Sequence, residues 1–125
     1  MTFPENLKYT DTHEWVLLNG TEATVGITDY AQGELGDVVF VDIPEKKSVA
    51  SGDNFGSIEA VKTVSDLIAP LAGTITEINP DLEGNPETVN SDPYGKGWMI
   101  KMTVVNSGEY DALMDAAQYK ALIGK

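Results

Sequence analysis

The stretch "FGSIEAVKTVSDLIAP", Phe55 to Pro70, decides how this chain is read. Ile58, Val61, Val64, Leu67 and Ile68 give it the apolar density of buried strand. Lys62 nevertheless stands between two valines, in a chain that holds eight lysines and no arginine. Two strands joined by a turn within "EAVKTV" accommodate both facts. A lysine at the tip of such a hairpin stays solvated while the flanking valines pin the strands beneath it. No Gly, Asn or Pro occupies the turn, so the segment is suited to presenting a side chain rather than to easy bending. Glu59 and Asp66 lie three and four residues from Lys62 and surround the tip with negative charge that another enzyme can read. The plain alternative is an exposed turn lysine with no role.

The rest of the chain extends the β pattern. "HEWVLLNG" ends in Asn19-Gly20, a hairpin dipeptide, and "TEATVGIT" is the return strand. "DYAQGELGD" fits a short helical turn capped by Asp29. "VVFVDIP" is a β-branched run stopped by Pro44. "LAGTITEINP" alternates with the period of two of a half-buried strand. Three of the six prolines fall between Asn79 and Gly97. In that stretch Leu82 and Val89 predict a loop that packs down or hides a short helix. "WMIKMTVV" places Trp98, Ile100 and Met102 on one strand face. The spacing of Leu113, Met114, Ala117, Ala121 and Leu122 predicts one C-terminal helix over about 108–123, with Ser107 as its cap. The expected fold is all-β with that helix added, in a single domain over residues 1–125 whose hairpin tip lies near 60–63.

Composition removes several function classes. Twenty Asp and Glu against eight Lys give a formal charge of −12. That bias disfavours nucleic acid and anionic membranes and favours partners with basic docking surfaces. The absence of cysteine excludes disulfides, thiolate nucleophiles and Cys-ligated metals, so any sulfur chemistry must come from a cofactor. His13 is the sole histidine, which gives no zinc site and no recognisable triad, and it is read as structural. Glu14 is read as solvated, and "GKGW" lacks the spacing of a phosphate loop. The N-terminus shows no signal or transit peptide pattern. The expected location is the cytoplasm, or the mitochondrial matrix for a mature chain whose leader has been removed.

Four blocks in order, "YTDTHEWV", "VGITDYAQGELGDVVFVDIP", "FGSIEAVKTVSDLIAPLAG" and "VNSDPYGKGWMIKM", closely resemble the H-protein family of the glycine cleavage system. The resemblance runs from about Leu7 into the C-terminal helix. In that family the lysine of an "E-S-V-K-A-V-S-D" block carries lipoate in amide linkage. The matching residue here is Lys62, in "E-A-V-K-T-V-S-D", with Glu59 and Val61 beside it. Ala60 and Thr63 depart from the commonest form, and Thr88 stands where the family more often has Leu.

The resemblance implies a barrel-sandwich fold like that of lipoyl and biotinyl domains. It also implies a non-enzymatic carrier with lipoate as its cofactor and no metal. The arm would take the aminomethyl group of glycine from a pyridoxal-phosphate glycine decarboxylase, the P protein. It would pass that group to a tetrahydrofolate-dependent aminomethyltransferase, the T protein. Dihydrolipoyl dehydrogenase, the L protein, would reoxidise it, and a lipoate ligase or octanoyltransferase would install it. By the same resemblance, Glu14 and Asp66 match acidic positions near the resting site of the loaded arm, where a cationic amine favours a carboxylate. A biotin carrier fits less well, because its tip reads Met-Lys-Met. A lipoyl domain of a 2-oxo acid dehydrogenase usually carries Asp-Lys-Ala and continues into further domains. An H-like lipoyl donor and a paralogue with unmodified Lys62 are the remaining alternatives.

Overall fold

The fold is mainly β, and the structure, a computed structural model, describes residues 1–124. Six strands form one antiparallel sheet in the order β1 (Lys8–Tyr9), β2 (Glu14–Asn19), β3 (Glu22–Ile27), β9 (Ile100–Val104), β8 (Gly73–Ile78), β5 (Ser48–Val49). Three others, β4 (Val38–Asp42), β6 (Asn54–Ala60) and β7 (Val64–Ile68), make a second sheet in the order β4-β6-β7. The two pack as a sandwich rather than closing into one continuous barrel. Between them lies a core that includes Val16, Val25, Ile58, Leu67, Ile75 and Met102. Burying each such side chain contributes roughly 1.5–3 kcal/mol.

Local chemistry explains the elements. Asn19 pairs with Glu22 across a two-residue turn in which Gly20 takes φ +66°, a conformation glycine adopts without penalty. Helix α1 (Asp29–Leu35) forms as expected, but its cap is Thr28 and not Asp29. Thr28 holds extended backbone angles and its Oγ1 accepts the Ala31 N–H at 3.1 Å. Asp29 is the first helical residue, where a carboxylate favours the positive end of the helix. The proline-rich stretch holds two short helices, α2 (Asp81–Gly84) and α3 (Thr88–Ser91), which bury Leu82 and Val89. Ile100 and Met102 share the inward face of β9, whereas Trp98 lies before the strand and packs against a second cluster.

The C-terminal region corrects the prediction of one helix over 108–123. Two helices form, α4 (Ser107–Asp111), capped by Asn106, and α5 (Ala116–Ile123). Met114 interrupts them by pairing with Tyr9: its carbonyl accepts the Tyr9 N–H at 2.8 Å and its N–H donates back at 3.0 Å. Asp115 then starts α5 with a capping box to Gln118. The buried face of α5 is Ala116 and Tyr119, while Ala117, Ala121 and Leu122 face solvent. Tyr119 stacks on Tyr9 at 4.9 Å, in a cluster with Leu7 and Trp15 on the outer side of the large sheet.

Candidate functional site

The hairpin formed by β6 and β7 turns through Val61, Lys62 and Thr63, the position expected for the tip. Its closure is made of backbone. The Ala60 N–H donates to the Thr63 carbonyl at 2.8 Å, and the Val61 N–H donates to the Asp37 carbonyl at 3.0 Å. The hairpin is rooted in the core by Ile58, Ala60 and Leu67, all buried. The valines do not pin the strands, because Val61 and Val64 both face solvent. Lys62 is exposed, and so are Glu59 and Asp66. No carboxylate forms an ion pair with Lys62 among the described residues.

One side chain absent from the sequence expectations sets the base of the tip. Asn90, on α3, donates from Nδ2 to the Gly36 carbonyl at 2.9 Å and to Gln32 Oε1 at 3.0 Å. Its Oδ1 accepts the Val38 N–H at 2.8 Å. These bonds bracket Asp37, whose carbonyl holds Val61. Gly36 ends α1 with φ +80°, and a Cβ there would stand 3.1 Å from Lys62 Cε. The lysine stem therefore lies against a backbone position that only glycine fills without strain or crowding.

Beside this tip a cleft of about 310 Å³ opens where α1 meets the seam of the two sheets. Glu14, Tyr30, Glu34, Leu35, Ser65 and Asp66 are among its lining residues. Glu14 and Asp66 thus face one space, although they lie far apart in sequence. Gly36, whose missing Cβ leaves room for the Lys62 stem, directly follows the lining residue Leu35.

Glu14 corrects the expectation of a solvated side chain, since only 2% of it is exposed. Its Oε1 accepts hydrogen bonds from the hydroxyls of Thr10, at 2.9 Å, and Thr12. Thr10 Oγ1 also accepts the Glu14 N–H at 3.0 Å, so one threonine fixes both ends of the residue. Burial pushes the Glu14 carboxyl up to about 7, against the opposing hydrogen bonds of Thr12, Thr10 and the Ile68 backbone. His13, read from the sequence as structural, lines the same cleft. Its Nδ1 lies 2.8 Å from the Tyr119 hydroxyl, which in turn lies 2.8 Å from Thr28 Oγ1. Burial lowers the imidazole below its usual range, which favours the neutral ring. This chain ties α5 and the cap of α1 to the wall of the cleft.

Two outcomes follow from the geometry. Asn90→Ala leaves the Val38 N–H and Gly36 carbonyl without their partner, at a cost of about 1–3 kcal/mol. Faster hydrogen exchange at the Val61 amide than in the parent, with the β8–β9 amides unchanged, is the expected signature. Glu14 gives a pH effect of defined sign. Its folded value of about 7 exceeds the ordinary 4.5, so the folded state binds the extra proton and stability falls as pH rises between those values. Denaturation midpoints of Glu14→Gln should lack that fall, with a relative gain above pH 7 of at most ~3 kcal/mol. Parallel curves for parent and variant from pH 4.5 to 8 would contradict a buried, proton-binding Glu14.

Comparisons with known proteins bear on the family and the fold. Residues 7–125 match the family model described as glycine cleavage H-protein. A glycine cleavage system H protein from Bacteroides fragilis is 58% identical over 124 residues, covering 98% of each chain. One from Staphylococcus carnosus is 51% identical over 126 residues, covering 100% of each. The crystal structure of a glycine cleavage system H protein from Mycobacterium marinum superposes with a TM-score of 0.90 at 39% identity. That match covers 98% of this chain and 100% of the other. The sequence blocks, the two-sheet fold and these relatives lead to one conclusion: the chain belongs to the glycine cleavage H-protein family.

Proposed function

We propose that the whole chain, residues 1–125, acts as one non-enzymatic carrier domain with lipoate in amide linkage on Lys62. The observation that carries this reading is the tip itself: a solvated primary amine on a backbone-braced turn, its stem close to Gly36, beside a cleft lined by three carboxylates, Glu14, Glu34 and Asp66. When bound, the lipoyl group supplies the disulfide and dithiol chemistry that a chain without cysteine lacks. The carrier relays the aminomethyl group of glycine from the pyridoxal-phosphate glycine decarboxylase to the tetrahydrofolate-dependent aminomethyltransferase, and dihydrolipoyl dehydrogenase restores the disulfide. A lipoate ligase or octanoyltransferase installs the arm.

The chain's own residues have three tasks in this scheme. Lys62 tethers the arm at a point that enzymes can approach. Glu59 and Val61 flank the attachment point and shape what the installing enzyme meets. Glu14 and Asp66 receive the cationic amine at rest, in the cleft beside the tip. A cation entering the cleft favours ionised Glu14, while burial opposes it, so the two effects partly cancel. Asp66 is exposed, and pairing there is worth no more than about 1 kcal/mol. A weak hold suits an arm that must leave for the next enzyme.

The setting is the cytoplasm in this reading. The relatives compared come from bacteria, which favours it over a mitochondrial matrix. No helix among the described residues is long and apolar enough to cross a membrane. Lys62→Arg keeps the charge and removes the acylable amine. In a reconstituted glycine decarboxylation assay it should abolish turnover while the thermal transition stays within a few degrees of the parent. Full turnover by that variant would overturn the assignment.

A further inference from the structure

Between the edge strand β4 and helix α2 lies a groove of about 330 Å³ to which the carrier scheme gives no task. Its apolar lining includes Ile43, Ile78 and Leu82, the last buried and the two isoleucines half-buried against the core. Asp42 and Glu83 also line it, and both are exposed. Neither forms an ion pair among the described residues. No lysine lines the groove, and none occurs in β4, β6, β7 or α2. The groove is separate from the cleft that holds Glu14. The small sheet runs β4-β6-β7, with the cleft beside β7 and the groove beside β4, so two strand spacings, about 10 Å, divide them. Along β4, Val38 pairs with Ala60 at the foot of the tip and Asp42 pairs with Ser57. The groove therefore begins within about 13 Å of that foot.

An apolar hollow of this size takes one or two inserted side chains and gives a docking partner its anchor. The unpaired carboxylates at its rim set the charge of that partner: Lys or Arg must flank the inserted apolar residue. Position selects among the enzymes of the scheme. The arm leaves its loading enzyme carrying a cationic amine, and the carboxylates that receive it line the cleft. An enzyme seated on the β4 flank takes the tip and leaves that cleft open to the returning arm, whereas one seated on the β7 flank would cover it. Resting on the carrier reading above, we propose that the groove between β4 and α2 is the docking site for the enzyme that loads the arm, the pyridoxal-phosphate glycine decarboxylase. The matching element on that enzyme is a surface apolar side chain flanked by Lys or Arg. Because the groove stands apart from the tip, docking there and lipoylation of Lys62 are separable by substitution.

The test is calorimetric titration of the purified decarboxylase holoenzyme with the full chain before lipoylation, paired with kcat/KM for the lipoylated chain in glycine decarboxylation. Asp42→Lys combined with Glu83→Lys should raise Kd and lower kcat/KM about tenfold (~1.4 kcal/mol), the latter through KM. Pro80→Trp, which puts a bulky ring on a lining residue, should shift both in the same direction. All these variants should be lipoylated by a purified ligase at the parental rate. Glu5→Lys combined with Glu22→Lys makes the same change of net charge at exposed positions away from the groove and should match the parent throughout. Groove variants within twofold of the parent in Kd and KM overturn the docking site alone. So does an equal loss in the control pair, which leaves only net charge at work, and so does an equal loss in lipoylation rate, which places the effect at the tip. An unaltered chain that is not lipoylated while a control domain is, or that is lipoylated and not accepted by the decarboxylase, overturns the carrier reading and this proposal with it.

Discussion

The Val61 N–H to Asp37 carbonyl bond is the constraint on which the site depends. It ties a turn without glycine or proline to the first residues of the neighbouring strand. A three-residue tip closed only by its own strands would be free to twist. This one is anchored to a carbonyl that Asn90 holds from both sides, through Gly36 and Val38. The same bonds set the C-terminus of α1, and so fix where Gly36 lies against the Lys62 stem. Tip, stem support and cleft wall are therefore one mechanical unit built from three separated parts of the chain. Such bracing keeps the attachment point in a defined place while the side chain beyond Cε remains free.

Burial around the site is distributed by task. The roots of the hairpin, Ile58, Ala60 and Leu67, are in the core, and the valines of its tip are in solvent. Rigidity thus comes from below, while the apolar side chains of the tip face solvent. The cleft has the opposite character. Glu14 is held between two threonine hydroxyls at the edge of burial, where its charge is costly near neutral pH. The structure accommodates that cost with dedicated donors rather than by exposing the carboxylate. Tyr119, His13 and Thr28 carry the fixation onward to α5, so the terminal helix braces the cleft although none of its side chains lines it.

Much of this was legible in the sequence. Strand periodicity, the Asn19-Gly20 turn and the lysine in "EAVKTV" led to the sheets and the tip, because their determinants are local. The errors arose where tertiary contacts decide. Helical spacing continued through 108–123, but the pairing of Met114 with Tyr9 breaks it. The Asp115-x-x-Gln118 box was a readable sign of the second start. The flanking valines looked like anchors because apolar residues at a strand end are ambiguous about face until register is known. Glu14 looked solvated because charge usually is. The clue to its burial was the pair of hydroxyls at Thr10 and Thr12, which supply the donors a buried carboxylate requires. Asn90 gave no local signal, since its three partners lie more than 50 residues away.

The central claim is that Lys62 carries the arm, and intact mass with peptide mapping tests it most directly. The chain would be produced in cells supplied with lipoate, beside a control domain known to be modified. The account predicts a single lipoyl adduct on the peptide that contains Lys62. An unmodified Lys62 beside a lipoylated control would contradict it, as would a biotin adduct at that residue.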